Sequence, residues 1–169
     1  IKSAFHYIDS IEEETNKNLI ELTEIAAPPF LEEKRAKALK RMFVDAGVDN
    51  VSIDEVGNVV ALKKGTQGGK IIVLDAHLDT VFPEGTNVTV QQRGDTLFAP
   101  GIGDDTRGLA MLLTIFKAMK NSKIETKADI WFVATVGEEG LGDLRGVKHL
   151  FRDGAPKIDS WIAIDGGAI

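Results

Sequence analysis

Two kinds of hydrophobic pattern alternate along the chain. Three stretches are apolar without interruption or nearly so: Ile71-Ile72-Val73-Leu74 within residues 70–77, residues 128–136 and residues 160–164. They have the length and composition of strands covered on both faces, as in parallel sheets. Between and before them the pattern is helical. Over residues 5–26, Ile8, Ile11, Leu19, Leu22 and Ile25 recur near helical spacing and predict one amphipathic helix. Pro28-Pro29 ends it. A second helix is predicted over residues 32–46, with Ala36, Leu39, Phe43 and Val44 inward and Gly47 at its C-terminal end. A third follows Pro100-Gly101-Ile102-Gly103-Asp104-Asp105-Thr106, with Leu109, Leu112, Leu113, Phe116 and Met119 on its apolar face, and a short one covers residues 144–151.

Shorter segments alternate with period two. Residues 51–54 and 58–62 flank Gly57-Asn58 and read as paired strands. Residues 87–91 and 96–99 flank Arg93-Gly94-Asp95, a tripeptide better read as a tight hairpin turn than as an adhesion motif. Strands alternating with helices predict an α/β, layered helix-sheet-helix domain with a mixed, largely parallel sheet. Two glycine-containing segments invite a nucleotide reading and fail it. Around Gly69-Lys70 the glycine spacing is wrong and Ile71 replaces the Ser/Thr of a phosphate loop, while Gly101-Ile102-Gly103 lacks a properly placed third glycine and follows a hairpin.

The apolar strands end in chemistry. The first runs into His77-Leu78-Asp79, where positions i and i+2 leave an extended backbone on the same side. The second ends in Gly137-Glu138-Glu139-Gly140 and the third in Asp165-Gly166-Gly167; Asp104-Asp105 stands at a helix start. Taken singly, each has an ordinary reading: a hydrogen-bonded histidine, an N-cap, a solvated loop, a turn. Together they place ligand-type groups where α/β sheets collect ligands, beyond the carboxyl ends of strands. Carboxylates gathered in this number require a cation, since like charges otherwise repel or protonate.

Composition narrows the choice. The 169 residues fit one domain, 43% are hydrophobic, and no apolar run reaches the roughly 18 residues of a membrane helix. A net charge of −6 argues against nucleic acid as partner. There is no cysteine, so a metal would have to rest on carboxylates and on His6, His77 or His149. That donor set suits zinc or a similar divalent ion, with cobalt or manganese as alternatives. Ile1-Lys2-Ser3-Ala4-Phe5-His6 is no signal peptide, and the chain lacks an initiator Met, so processing or excision from a longer chain is expected. A cytoplasmic protein is the first expectation for the compartment, and export after removal of a leader the second.

The succession His77-Leu78-Asp79, Gly103-Asp104-Asp105, Gly137-Glu138-Glu139-Gly140 and Asp165-Gly166-Gly167 resembles, in order and spacing, the motifs of the dinuclear-zinc aminoacylase/peptidase family, which includes peptidase T, carboxypeptidase G, acetylornithine deacetylase and succinyl-diaminopimelate desuccinylase. The resemblance implies hydrolysis of a small peptide or N-acyl amino acid by metal-activated water. It implies that His77 and Asp165 bind one zinc, that Asp104 bridges two, that Glu139 binds the second, and that Glu138 is the general base. Asp79 would orient the ring of His77. The division of roles between Glu138 and Glu139 rests on the resemblance alone. Two features depart from the family pattern. Thr106 stands where relatives often carry Lys, and the chain stops before the further His and the inserted lid or dimerisation domain of a protein about twice as long. Residues 1–169 are therefore expected to be one partial catalytic domain, inactive or nearly so alone, of a protein that forms a homodimer. His149, as a replacement ligand, is weaker than a surface-histidine reading. The competing expectations are a non-catalytic domain that keeps the fold and a mononuclear module using His77, Asp104 and Asp165.

Overall fold

The computed structural model describes residues 1–166. Its frame is a five-stranded sheet in the order β1-β2-β6-β3-β7, from strands β1 (Asn50–Ile53), β2 (Val59–Lys63), β3 (Ile71–His77), β6 (Asp129–Thr135) and β7 (Ser160–Ala163). Strands β6, β3 and β7 run parallel, and β1 and β2 add an antiparallel edge. The sheet is thus mixed, as predicted. A separate hairpin pairs β4 (Gln91–Arg93) with β5 (Thr96–Phe98). Its turn lies at Gly94-Asp95, with the first strand shifted toward the turn from the predicted residues 87–91.

Helices α2 (Glu12–Thr23), α3 (Glu33–Asp45) and α4 (Arg107–Asn121) cover one face, with α1 (Lys2–Ser10) against α4. Leu22, Leu39, Phe43, Leu109, Leu112, Leu113 and Phe116 meet Val59, Ala61, Phe132 and Ala134 there. Phe116 stands edge-on to Phe43 and Phe132, with centroids 6.3 and 5.7 Å away. The opposite face is thinner: α5 (Arg145–Leu150) brings Leu150 onto Val73 and Val133, with Trp131 and Trp161 around them. Adjacent residues of β6, such as Phe132 and Val133, serve opposite layers, which is why its sequence is apolar throughout.

Three expectations need correction. The first helix is two, because at Ile11 the backbone leaves helical geometry (φ −110°, ψ 18°) and α2 restarts at Glu12. Val44 points to solvent rather than inward. Strand β7 is an edge strand with Ile162 exposed, not a strand covered on both faces. Among the described residues no helix is long and apolar enough to cross a membrane.

Candidate metal centre

The parallel register brings the strand ends level. His77 faces Thr135, and the Leu78 N–H donates to the Thr135 carbonyl at 2.7 Å, so the chain beyond β6 reaches Glu138 beside the end of β3. Asp75 faces Ala163, which sets Asp165 level with His77 on the other flank. The fourth segment enters from the helix layer. Residues Ile102–Thr106 form a wide turn with Asp104 extended (φ −130°, ψ 101°), and regular helix begins at Arg107 rather than at the aspartates. Thr106, the departure from the family pattern, is buried and donates its hydroxyl to the Gly101 carbonyl at 2.8 Å, fastening this turn.

The side chains converge. Nε2 of buried His77 lies 3.0 Å from Oδ1 of Asp104 and 3.7 Å from Oδ1 of Asp165. One ligand atom from each of His77, Asp104 and Glu139 lies within 4.8 Å of the others. Close backbone approach is required at the crossing of the Asp165 and Asp104 segments: a Cβ on Gly166 would fall 2.6 Å from that of Asp104. Gly167 of the predicted turn lies outside the described residues.

Asp79 supports the cluster in two directions. Its backbone carbonyl lies 2.9 Å from Nδ1 of His77, whereas its carboxylate is 3.8 Å from that nitrogen. A proton on Nδ1 leaves the Nε2 lone pair facing the carboxylates. The fully buried carboxylate accepts instead the backbone N–H groups of Glu138 and Glu139, at 3.0 and 2.9 Å. Ring orientation therefore comes from the main chain of Asp79, and its side chain holds the loop that carries both glutamates.

Asp105, read from sequence as a possible cap, does act near a helix start. Its buried carboxylate accepts the N–H of Gly108 at 3.2 Å and that of His77 at 3.0 Å, tying α4 to the end of β3. Sequence reasoning missed Arg35. This buried guanidinium donates to the Ile25 carbonyl and, at 2.7 Å, to the carbonyl of Leu78, the residue between His77 and Asp79. Its signal is present in the chain: Arg35 shares the Leu39 and Phe43 face of α3 at intervals of four. His149 stands apart from the cluster, with Nε2 3.2 Å from Glu55 and 3.8 Å from Asp54.

The electrostatics are those of a site short of positive charge. Burial raises the Asp105 carboxyl to about 7. Burial also raises Glu139, and the nearby charge of Asp104 adds to it. Burial alone would lower His77, yet the charges of Asp105, Asp79, Glu138 and Asp104 outweigh it and hold the imidazole above its ordinary value. One imidazole nitrogen and several carboxylate oxygens, converging from four segments without thiolate, are a donor set that fits a divalent cation of the zinc, cobalt or manganese type.

Comparisons with known proteins agree with this architecture. The family model for peptidase family M20/M25/M40 matches residues 73–167, the span that carries His77, Asp104, Glu138, Glu139 and Asp165. A putative [LysW]-lysine/[LysW]-ornithine hydrolase of Pyrococcus abyssi is 36% identical over 129 residues, 76% of this chain and 34% of that protein. An uncharacterised Bacillus subtilis protein, YqjE, is 34% identical over 149 residues, 80% of this chain and 38% of that protein. The crystal structure of the aminopeptidase PepT from Bacillus cereus superposes with a TM-score of 0.76 at 27% identity, covering 92% of this chain and 44% of that one. The chain thus spans little more than a third of the length of the curated relatives it matches. By the matched span and by these relatives, the chain belongs to peptidase family M20/M25/M40.

Proposed function

We propose that these residues are the larger part of the metal centre of a hydrolase that cleaves the amide bond of a small peptide or an N-acyl amino acid. The observation that carries the reading is the convergence of His77, Asp104 and Glu139 to within 4.8 Å beyond the ends of the parallel strands β3 and β6. His77, Asp104, Glu139 and Asp165 would hold divalent metal, zinc in the first instance, and Asp104 would be the ligand shared if two ions bind. A bound ion of this kind acidifies a water molecule and polarises the scissile carbonyl. Glu138 takes the proton from the attacking water and returns it to the leaving nitrogen, a carboxylate role that needs proximity without ligation. With Nδ1 donating to the Asp79 carbonyl, the neutral form of His77 would present its Nε2 lone pair to the ion.

The named relatives, a putative [LysW]-lysine/[LysW]-ornithine hydrolase and the aminopeptidase PepT, support an amide substrate with an amino-acid component. The shares of their lengths that are matched support a longer complete protein, with this chain as a partial catalytic domain; assembly as a homodimer rests on the family resemblance alone.

The test is hydrolysis of a panel of dipeptides and N-acyl amino acids by the zinc-loaded full-length protein and its Glu138→Gln variant. The variant is expected to keep its zinc and lose about 10²–10⁴ of the rate, the share a general base contributes. Absence of cleavage by folded, zinc-loaded protein would overturn the reading; full activity in Glu138→Gln would overturn the role of that residue.

A further inference from the structure

Phe30 sits in a backbone conformation that phenylalanine rarely adopts. Its φ is +73°, in the left-handed region that favours glycine, and the residue is 64% exposed. Neither the strain nor the exposure serves the core. The conformation is nevertheless firmly held. The buried carboxylate of Glu32 accepts the Phe30 N–H at 3.0 Å through Oε1 and pairs with Nη2 of Arg145 at 2.7 Å through Oε2. The Arg145 guanidinium in turn lies 4.6 Å above the Phe30 ring centroid. It also packs beneath Gly137, where a Cβ would fall 2.1 Å from Nη1, at the start of the loop bearing Glu138 and Glu139. One arginine thus sets the ring and that loop side by side.

The surface so displayed is concave. Phe30, with Pro29, Val81, Gly140 and Leu141, lines a hollow of about 310 Å3 that has Glu139 in its wall. Val81 and Leu141 are also exposed, at 62% and 89%. Three loops therefore turn apolar side chains outward around one donor of the candidate metal cluster. A strained backbone retained beside such a cluster points to a use, and the volume is at the small end for ligand sites, suited to a side chain rather than a large ligand. The guanidinium behind the ring is not part of the hollow's lining and pairs through Nη2 with Glu32, so it does not face the hollow as a charge for an acidic group.

We propose that Phe30, Val81 and Leu141 form the specificity pocket for an apolar side chain of the substrate next to the amide bond that is cut. The inference rests on the metallohydrolase reading above. It predicts selection of Leu- or Phe-like residues over acidic or basic ones.

The experiment uses zinc-loaded full-length protein and matched substrates X-Gly, Gly-X and N-acetyl-X, with X as Ala, Leu, Phe, Asp or Lys. Wild type is expected to favour Leu and Phe over Asp and Lys by about tenfold or more in kcat/KM at one position, the discrimination an apolar pocket supplies. Leu141→Ser and Phe30→Gly are expected to lower kcat/KM for the Leu and Phe substrates by about tenfold, mainly through KM, with a smaller loss for Ala. Leu141 is exposed and glycine accommodates the Phe30 backbone, so both variants should fold, which thermal unfolding and zinc content verify. Cleavage without an apolar preference, or a preference that both variants retain, overturns the pocket. No cleavage of any substrate by folded, zinc-loaded wild type overturns the hydrolase reading itself and the pocket with it.

Discussion

The carboxylate of Asp79 accepts the backbone N–H of Glu139 at 2.9 Å, and that of Glu138 at 3.0 Å, while the ring of His77 meets the Asp79 backbone carbonyl. The side chain and the main chain of one residue thus support different parts of the cluster. Asp79→Asn replaces one acceptor oxygen with an NH2 group facing an N–H donor. The expected result is a 10–100-fold loss of zinc affinity, about the effect of removing a supporting contact to a ligand, with about 1–3 kcal/mol less stability. The Nδ1-H tautomer of His77 should survive, because its partner is main chain, and 15N chemical shifts report this. A tautomer change with an undisturbed glutamate loop would restore the ring-orienting role for the carboxylate.

Arg35 closes the same support from below. It carries a charge in a buried position, joins the carbonyls of Ile25 and Leu78, and faces the charge of Asp79. Arg35→Met keeps much of the volume but leaves both carbonyls and the carboxylate without this partner. Stability should fall by about 2–4 kcal/mol, the scale of unsatisfied buried groups. Urea unfolding measures it, and an unchanged midpoint would show that water replaces the guanidinium at no cost.

These two residues mark where the sequence ceased to be legible. The apolar runs identified β3, β6 and β7, the periodicity identified α3 and α4, the strand ends announced His77, Glu139 and Asp165, and the helix start announced Asp104; all four reach one place. What stayed hidden depends on tertiary contact. A buried arginine on an apolar helix face looks like a solvated charge in the pattern. Whether Asp79 acts through its carbonyl or its carboxylate has no trace in composition. The exposure of β7 depends on which strands lie beside it, and the break at Ile11 on how α1 and α2 pack against α4.

Asp75 gives a pH prediction for the metal-free protein. Burial raises its carboxyl to about 7, even though its Oδ1 accepts the Thr135 hydroxyl at 3.0 Å. An acid whose folded value lies above its unfolded value, about 3.9, holds a proton when folded that it loses on unfolding. Its contribution is therefore complete below about pH 4 and is lost as pH rises toward 7, by at most about 1.4 kcal/mol per unit. Asn at this position still accepts from Thr135 and does not titrate. Asp75→Asn should thus gain on wild type between pH 5 and pH 8, by about 2 kcal/mol in urea unfolding. Asp105, raised by burial in the same way, leaves the variant a residual slope of the same sign. Parallel stability profiles for the two proteins would mean that Asp75 ionises as freely folded as unfolded.

Metal affinity should depend on pH through the ligands themselves. A divalent ion held by His77 and Glu139 would take the first neutral and the second ionised, and both hold their protons more tightly than usual. Binding must displace those protons, so zinc affinity falls as pH falls through the neutral range. The contribution of Asp104 can be isolated within the same titration. Its carboxylate lies 3.0 Å from Nε2 of His77, yet its side chain is 56% exposed and carries no part of the core. Asp104→Ala should keep the wild-type circular dichroism and lose zinc affinity by ~100-fold or more at pH 7.5. Loss of zinc together with loss of folding would leave the role of Asp104 to Asp104→Asn, which keeps the shape and removes the charge. Zinc bound by folded Asp104→Ala with wild-type stoichiometry and pH dependence would place the metal away from this cluster.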